Sequence, residues 1–409
     1  MVGDRACRID RARALFGDWL PWLLLWLAGI DVRLTMLAVP PVLPLIHRDL
    51  GLSETGVAVL AGLPVFLLAA AAIPGSLLIA RLGARRALVA GVVIIAIASG
   101  LRGVGSSAPV LFAMTFAMAI GIAIAQPAMP SLVTSWAPAR VGQATAIYVN
   151  GILVGETLSA SLTLPLVLPL VAGSWQRSFA VWAAVVLLTA AFMAWATPRL
   201  PDAAGSREAR WWPDWSRAET WQLGLLQAGA SMAYFGANAF IPDFLRATAR
   251  SQLIGTCLTM LNAGQLPASV AAWVFAQGIV GRRWPLLMMG VGILAGLGVF
   301  LLSPRWAPAI GAGMLGLCFA FVLVLTLALP PILAEGDDVH RLSAGMFAIG
   351  YALSFLTPVL GGAAWDLTRR PATSLLPVAL GALIILATAS ALLRLRAGPP
   401  PRHRPSAPR

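Results

Sequence analysis

Residues 19–46 read WLPWLLLWLAGIDVRLTMLAVPPVLPLI, an apolar run longer than the roughly 20 residues that cross a bilayer as a helix. Asp31 and Arg33 stand near its middle. An ionised side chain at that depth costs at least ~2.5–3.5 kcal/mol, so a group on this helix or a neighbour must compensate it. Arg33 is therefore the first candidate for a binding site.

The rest of the chain extends this reading. Of 409 residues 59% are hydrophobic and 11% charged, and the mean hydropathy is +0.84. Twelve spans are predicted, at 19–46, 56–79, 87–101, 108–133, 143–170, 179–196, 221–245, 252–280, 286–302, 307–333, 343–364 and 374–393. The fold class is all-α, a polytopic membrane protein. There is no lysine, so all 29 basic residues are arginine. With the spans threaded in order, twenty arginines fall on the side of the N-terminus and eight on the other. The positive-inside rule then places both termini and the central linker in the cytoplasm. The polar segment before Trp19 carries Asp4, Asp10 and Asp18. The apolar run after it is too long for a signal-peptide core, so it is expected to stay as the first span.

The net charge of +13 is spread over short loops and tails facing one leaflet. Anionic lipid headgroups are its natural counterions, and no nucleic-acid role is expected. Without lysine there is no phosphate-binding loop of the Gly-x-x-x-x-Gly-Lys type and no Schiff base. Cys7 is placed in the N-terminal tail and Cys257 and Cys318 in the eighth and tenth spans, which offers no disulfide framework. His47, His340 and His403 are assigned to loops or the tail, too scattered for a metal cluster. No enzyme, cofactor or metal is expected.

A polar interruption at 198–220 separates six spans from six. The division is a tail at 1–18, a six-helix bundle at 19–197, the linker, a second bundle at 221–396 and a tail at 397–409. Trp211, Trp212 and Trp215 suit the linker to the headgroup layer. The halves echo each other. Pro44 precedes Gly83 by the same 39 residues that separate Pro242 from Gly281, and Pro130 and Arg140 match Pro331 and Arg341 at a shared offset of 201. Two parallel six-helix repeats are a common plan of secondary transporters.

The loop Ala80-Arg81-Leu82-Gly83-Ala84-Arg85-Arg86 resembles the Gly-x-x-x-Asp-Arg-x-Gly-Arg-Arg signature of the major facilitator superfamily. It carries Ala80 at the Asp position and Ser76 at the first Gly. The resemblance implies two pseudo-symmetric six-helix bundles and a gating role for Arg81, Gly83, Arg85 and Arg86. Within the superfamily the pattern is most similar to the cyanate and 2-nitroimidazole transporter family. Its first helix carries Asn-x-Arg and then Pro-Leu-Leu, matched here by Asp31-Val32-Arg33 and Pro41-Val42-Leu43, with Asp31 in place of Asn. Further matches are Gly51-Leu52-Ser53, Gly62-Leu63-Pro64, Leu101-Arg102, Arg140-Val141-Gly142, Tyr148 and Trp175. The resemblance implies a monomer of the bacterial cytoplasmic membrane that carries cyanate-like or nitroimidazole-like solutes.

Glu156 lies near the centre of the fifth span, at the depth of Arg33, and pairing would relieve both charges. Asp31 is two residues from Arg33, about 200° round the helix, so the two cannot point into one cavity. Asp31 reads as a proton carrier or as a carboxylate bonded to a neighbouring helix, and Glu156 as the partner of Arg33 and second proton candidate. Gln126, Asn150, Tyr234, Asn238, Gln265 and Tyr351 complete the polar residues at mid-membrane. Pro40-Pro41, Gly62-Leu63-Pro64, Gln126-Pro127 with Pro130, and Pro358 are expected to interrupt their helices. The preferred function is alternating-access transport of a small polar or anionic solute, coupled to protons. The rivals are a proton-coupled multidrug exporter and, from another class, a non-transporting receptor or scaffold.

Overall fold

The computed structural model describes residues 19–52, 54–196, 211–302, 307–336 and 338–391. Cys7, His403, both tails and the linker residues before Trp211 lie outside the described residues. All regular structure among the described residues is helical.

The first span is α1 (Leu20–Leu34) followed by α2 (Val39–Leu50). Its interruption has a cause in the sequence. Pro40 has no N–H for the carbonyl of Met36, so the Val39 N–H turns to that carbonyl, at 3.5 Å. The carbonyl of Thr35, which Val39 would serve in an unbroken helix, is freed.

The second to sixth spans are α3 (Glu54–Leu82), α4 (Ala84–Leu101), α5 (Ala108–Trp136), α6 (Val141–Leu162) with the short α7 (Leu168–Leu170), and α8 (Trp175–Ala196). The seventh is α9 (Ala218–Ala247), and the eighth is α10 (Ile254–Ala263) with α11 (Gln265–Ile279). The remainder are α12 (Arg283–Leu302), α13 (Ala307–Leu327) with α14 (Pro330–Leu333), α15 (Asp338–Phe355) with α16 (Thr357–Thr368), and α17 (Leu376–Ala391). Ten of the twelve segments are long and apolar enough to cross a membrane by themselves. The other two, α9 and the α10–α11 pair, are more polar and pack within the bundle.

Not every proline acts as the sequence reading expects. The eleventh span does break, between Phe355 and Thr357 beside Pro358. Pro64 and the Pro127–Pro130 pair, by contrast, lie within continuous helices. A lone missing N–H is absorbed inside a packed bundle, whereas Pro40 and Pro41 remove two donors in succession. The histidine assignment is corrected too: His47 lies in α2 and His340 in α15. Apolar windows underestimate helix length, because polar helix ends remain helical.

The repeat is visible in the packing. In the first half α1 packs on α6, α3 on α5, α4 on α5 and α4 on α8. The equivalents α9 on α15, α10 on α13, α12 on α13 and α12 on α17 recur in the second half. Gly83 joins α3 to α4 at φ 81°, and its counterpart Gly281 precedes α12 at φ 79°, a backbone region in which glycine carries no side-chain penalty. The halves meet through α3 on α15 and α6 on α11. At one end of the first contact the Ser76 hydroxyl is 2.8 Å from His340 Nδ1 and donates to the carbonyl of Trp211, also at 2.8 Å. At the other end the rings of Phe66 and Phe355 lie 5.4 Å apart. Beside Trp211 the Ser216 hydroxyl and amide donate to Asp214, and these bonds hold its carboxyl below the ordinary value.

The α1–α6 contact is a backbone-to-backbone approach. A Cβ on Gly151 would strike the Trp26 carbonyl, and one on Gly155 would sit 2.5 Å from the Ile30 carbonyl. Gly151→Ala should destabilise the protein by about 1–3 kcal/mol or more, as overpacking does. Gly255→Ala, where nothing lies within 4 Å, should be neutral or slightly stabilising. Thermal unfolding of both variants checks this; equal melting temperatures would mean that the α1–α6 approach is looser than described.

Candidate functional site

Arg33 occupies the last turn of α1, just before the interruption, and its side chain reaches the seam between the halves. Its Nε lies 3.4 Å from Glu156 Oε1, an ion contact rather than an aligned hydrogen bond. Its Nη2 donates to the Tyr351 hydroxyl at 2.9 Å and its Nη1 faces the sulfur of Met36 at 3.3 Å. Glu156 comes from α6 and Tyr351 from α15, so one guanidinium is held by both halves. Arg33, Glu156 and Tyr351 are all buried.

Two further bonds extend the network at its two ends. The Gln126 amide on α5 donates to the Tyr351 hydroxyl at 2.7 Å, and the Tyr234 hydroxyl on α9 donates to Glu156 Oε2 at 3.2 Å. Gln265 lies within hydrogen-bonding reach of Tyr234. Tyr234 is itself fixed edge-on between Phe235 and Phe319, with centroids 5.1 and 5.0 Å away.

These groups line a small cavity of about 30 Å³. It is narrow, polar at one wall, and apolar where Phe319, Leu323 and Leu327 face it. Six of the eight expected binding residues line it: Arg33, Glu156, Tyr234, Gln265, Gln126 and Tyr351.

Two do not. Asn150 accepts from the Trp26 indole and donates to Ser269, each at 2.9 Å, and so ties α1 and α6 to α11. Asn238 bonds back to the Tyr234 carbonyl within its own helix, at 3.0 Å. Asp31 lies on the far side of α1, where Thr189 on α8 donates to its Oδ2 at 2.5 Å. Among the lining residues are also Gln227 and Ser231, which the sequence reading missed. The signal was present, since 227, 231 and 234 follow the i, i+4, i+7 spacing of one helix face. Around the signature loop, Arg81 lies in the last turn of α3, Gly83 makes the turn, and Arg85 and Arg86 lie in the first turn of α4.

An all-helical membrane protein built from two repeated bundles, with its polar cavity at their seam, has the architecture of an alternating-access carrier. The chain belongs to the Major Facilitator Superfamily, whose sequence model matches residues 22–328. It is an integral membrane transport protein and not an enzyme. It is 27% identical over 346 residues to the cyanate transport protein CynX of Escherichia coli (strain K12), covering 83% of this chain and 88% of that one. It is 25% identical over 383 residues to the uncharacterized transporter YycB of Bacillus subtilis (strain 168), covering 91% and 92%. Among solved structures it resembles the transporter FucP in its outward conformation, with a TM-score of 0.73 at 15% identity over 91% of this chain and 98% of that one. The proton:xylose symporter XylE superposes with a TM-score of 0.68 at 13% identity, over 92% and 95%. At such identities these two structures speak for the fold alone.

The contact between Arg33 and Glu156 has an energetic signature. Replacing Glu156 alone by Gln strands a buried arginine, so it should cost more stability than the double change that also makes Arg33 neutral. A double-mutant cycle read by thermal unfolding checks this. Additivity within about 0.5 kcal/mol would mean that the two charges do not depend on each other.

Proposed function

We propose that this chain moves a small polar or anionic solute of the cyanate or nitroimidazole type by alternating access, in symport with a proton. The observation that carries the reading is the placement of one buried guanidinium, Arg33, between a carboxylate of one half and a tyrosine of the other. Arginine offers a planar fork of donors suited to a small anion. The similarity to a protein described as a cyanate transport protein supports the solute class.

The cavity's ion pair suggests how the proton enters. Glu156 occupies the donor face of Arg33 that an incoming anion needs. When Glu156 takes a proton its hold on the guanidinium is lost, and the anion takes its place. One monoanion and one proton then cross together, and the translocated complex carries the same net charge as the empty cavity. Asp31, bonded to Thr189 behind α1, has no part in this exchange and serves as a structural carboxyl. The halves rock about the seam as the α3–α15 contacts open at one end and close at the other. The arginine-rich side, with both termini, faces the cytoplasm, and the carrier works as a monomer in the bacterial cytoplasmic membrane. Arg81, Arg85 and Arg86 line the gating loop of that side.

Uptake of labelled cyanate into proteoliposomes tests the proposal. Flux should rise with an imposed pH gradient, acid on the side of entry, and respond little to membrane potential. Arg33→Ala should abolish uptake while the protein stays folded. Glu156→Gln should retain exchange of cyanate but lose its drive by the gradient, and Asp31→Asn should keep both. Full uptake by a well-folded Arg33→Ala protein would contradict the site. Equal rates with and without the gradient would contradict the symport.

A further inference from the structure

Arg102 is a second buried arginine, at the end of α4, and it only 1% exposed. No carboxylate pairs with it among the described residues. Among the described residues its guanidinium makes a single hydrogen bond, from Nη2 to the backbone carbonyl of Thr35 at 2.8 Å. That is the carbonyl released when Pro40 diverts the Val39 N–H to Met36. An arginine is costly to bury without an anion, but the C-terminal carbonyls of a helix carry partial negative charge and bind cations. The end of α1 is thus the partner of Arg102.

The surroundings hold this arrangement in place. The Arg102 guanidinium lies over the ring of Phe179 on α8, 4.3 Å from its centroid, a cation–π contact strengthened by burial. Phe179 packs edge-on against Trp175 at 5.7 Å, and the Trp175 indole donates to Asp49 in α2 at 3.1 Å. The same cluster therefore grips α1 at Thr35 and α2 at Asp49, on the two sides of the interruption. The Thr35 hydroxyl also faces the sulfur of Met118 on α5 at 3.5 Å. Arg33 sits two residues before the carbonyl that Arg102 holds.

We infer that Arg102 is a positioning residue for the solute site: by capping the Thr35 carbonyl it fixes the last turn of α1 and thereby sets the height and direction of Arg33 in the cavity. This rests on the reading of Arg33 as the solute-binding cation. Arg102 never meets the solute. It acts through the interrupted backbone, whose freed carbonyl lets a side chain of α4 orient a side chain of α1.

The test uses the full-length protein in detergent with no solute added, and reads the non-additivity of Arg33→Ala and Glu156→Ala in melting temperature. In the otherwise native chain the two changes should be clearly non-additive. In an Arg102→Gln background that non-additivity should fall by at least half, because Arg33 is no longer aimed at Glu156. Arg102→Lys, which can still donate to the carbonyl but cannot stack flat on Phe179, should restore part of it. A purely structural Arg102 would lower all melting temperatures together and leave the non-additivity unchanged. If Arg102→Gln does not fold, Phe179→Leu keeps the cation, removes its platform and should give the same reduction in weaker form. Unchanged non-additivity in these backgrounds, or none in the native chain, would overturn the inference. Because no solute is present, that failure is separate from a failure of the transport reading, which would show as cyanate uptake that does not need Arg33.

Discussion

The structure depends on keeping the charge of Arg33 in the middle of a membrane. Burying a guanidinium there is tolerable only if its charge and donors are met, and no single helix can meet them. The solution spans the molecule: Glu156 from one bundle, Tyr351 from the other and Met36 from the same span. Tyr234 and Gln126 in turn orient the first two. The seam between the bundles is therefore where these polar groups collect, and among the described residues the halves pack most widely where α3 meets α15 and α6 meets α11.

This placement has a consequence for motion. If the halves rock, the Arg33–Glu156 contact travels within the first bundle and the Arg33–Tyr351 contact must break, because it crosses the seam. An anion that takes over the guanidinium as Tyr351 leaves it would offset that loss. Binding and rocking are thus linked through one side chain, and in the empty carrier the ionised Glu156 keeps the Arg33 charge compensated through the passage. The interrupted helices fit the same picture, since the first, eighth and eleventh spans all break near cavity-lining residues, Arg33, Gln265 and Tyr351 among them.

Much of this was legible in the sequence. The spans, the repeat and the depth of Arg33 and Glu156 follow from apolar runs and arginine placement, because bilayer thickness imposes them. The opposed directions of Asp31 and Arg33 follow from helix geometry alone. Other features were not legible. Asn150 and Asn238 share the depth of the site but not its direction, and depth is all that a hydropathy pattern supplies. Gln227 and Ser231 could have been found by asking which polar residues of α9 share a face with Tyr234. The contacts of Thr189 with Asp31 and of Arg102 with Thr35 leave no local trace, since each joins residues far apart in the chain. Proline was a misleading guide: Pro40 with Pro41 interrupts a helix, while Pro64, Pro127 and Pro130 do not.

The central claim is that Arg33 is where the solute sits, and the most direct measurement is anomalous diffraction from crystals soaked in selenocyanate, a heavier analogue of cyanate. The account predicts an anomalous selenium peak inside the seam cavity, with the anion in contact with the Arg33 guanidinium and Glu156 displaced from it, and no such peak in crystals of Arg33→Ala. A cavity that stays empty while the Arg33–Glu156 contact persists at saturating anion, or a peak that survives the loss of Arg33, would contradict it.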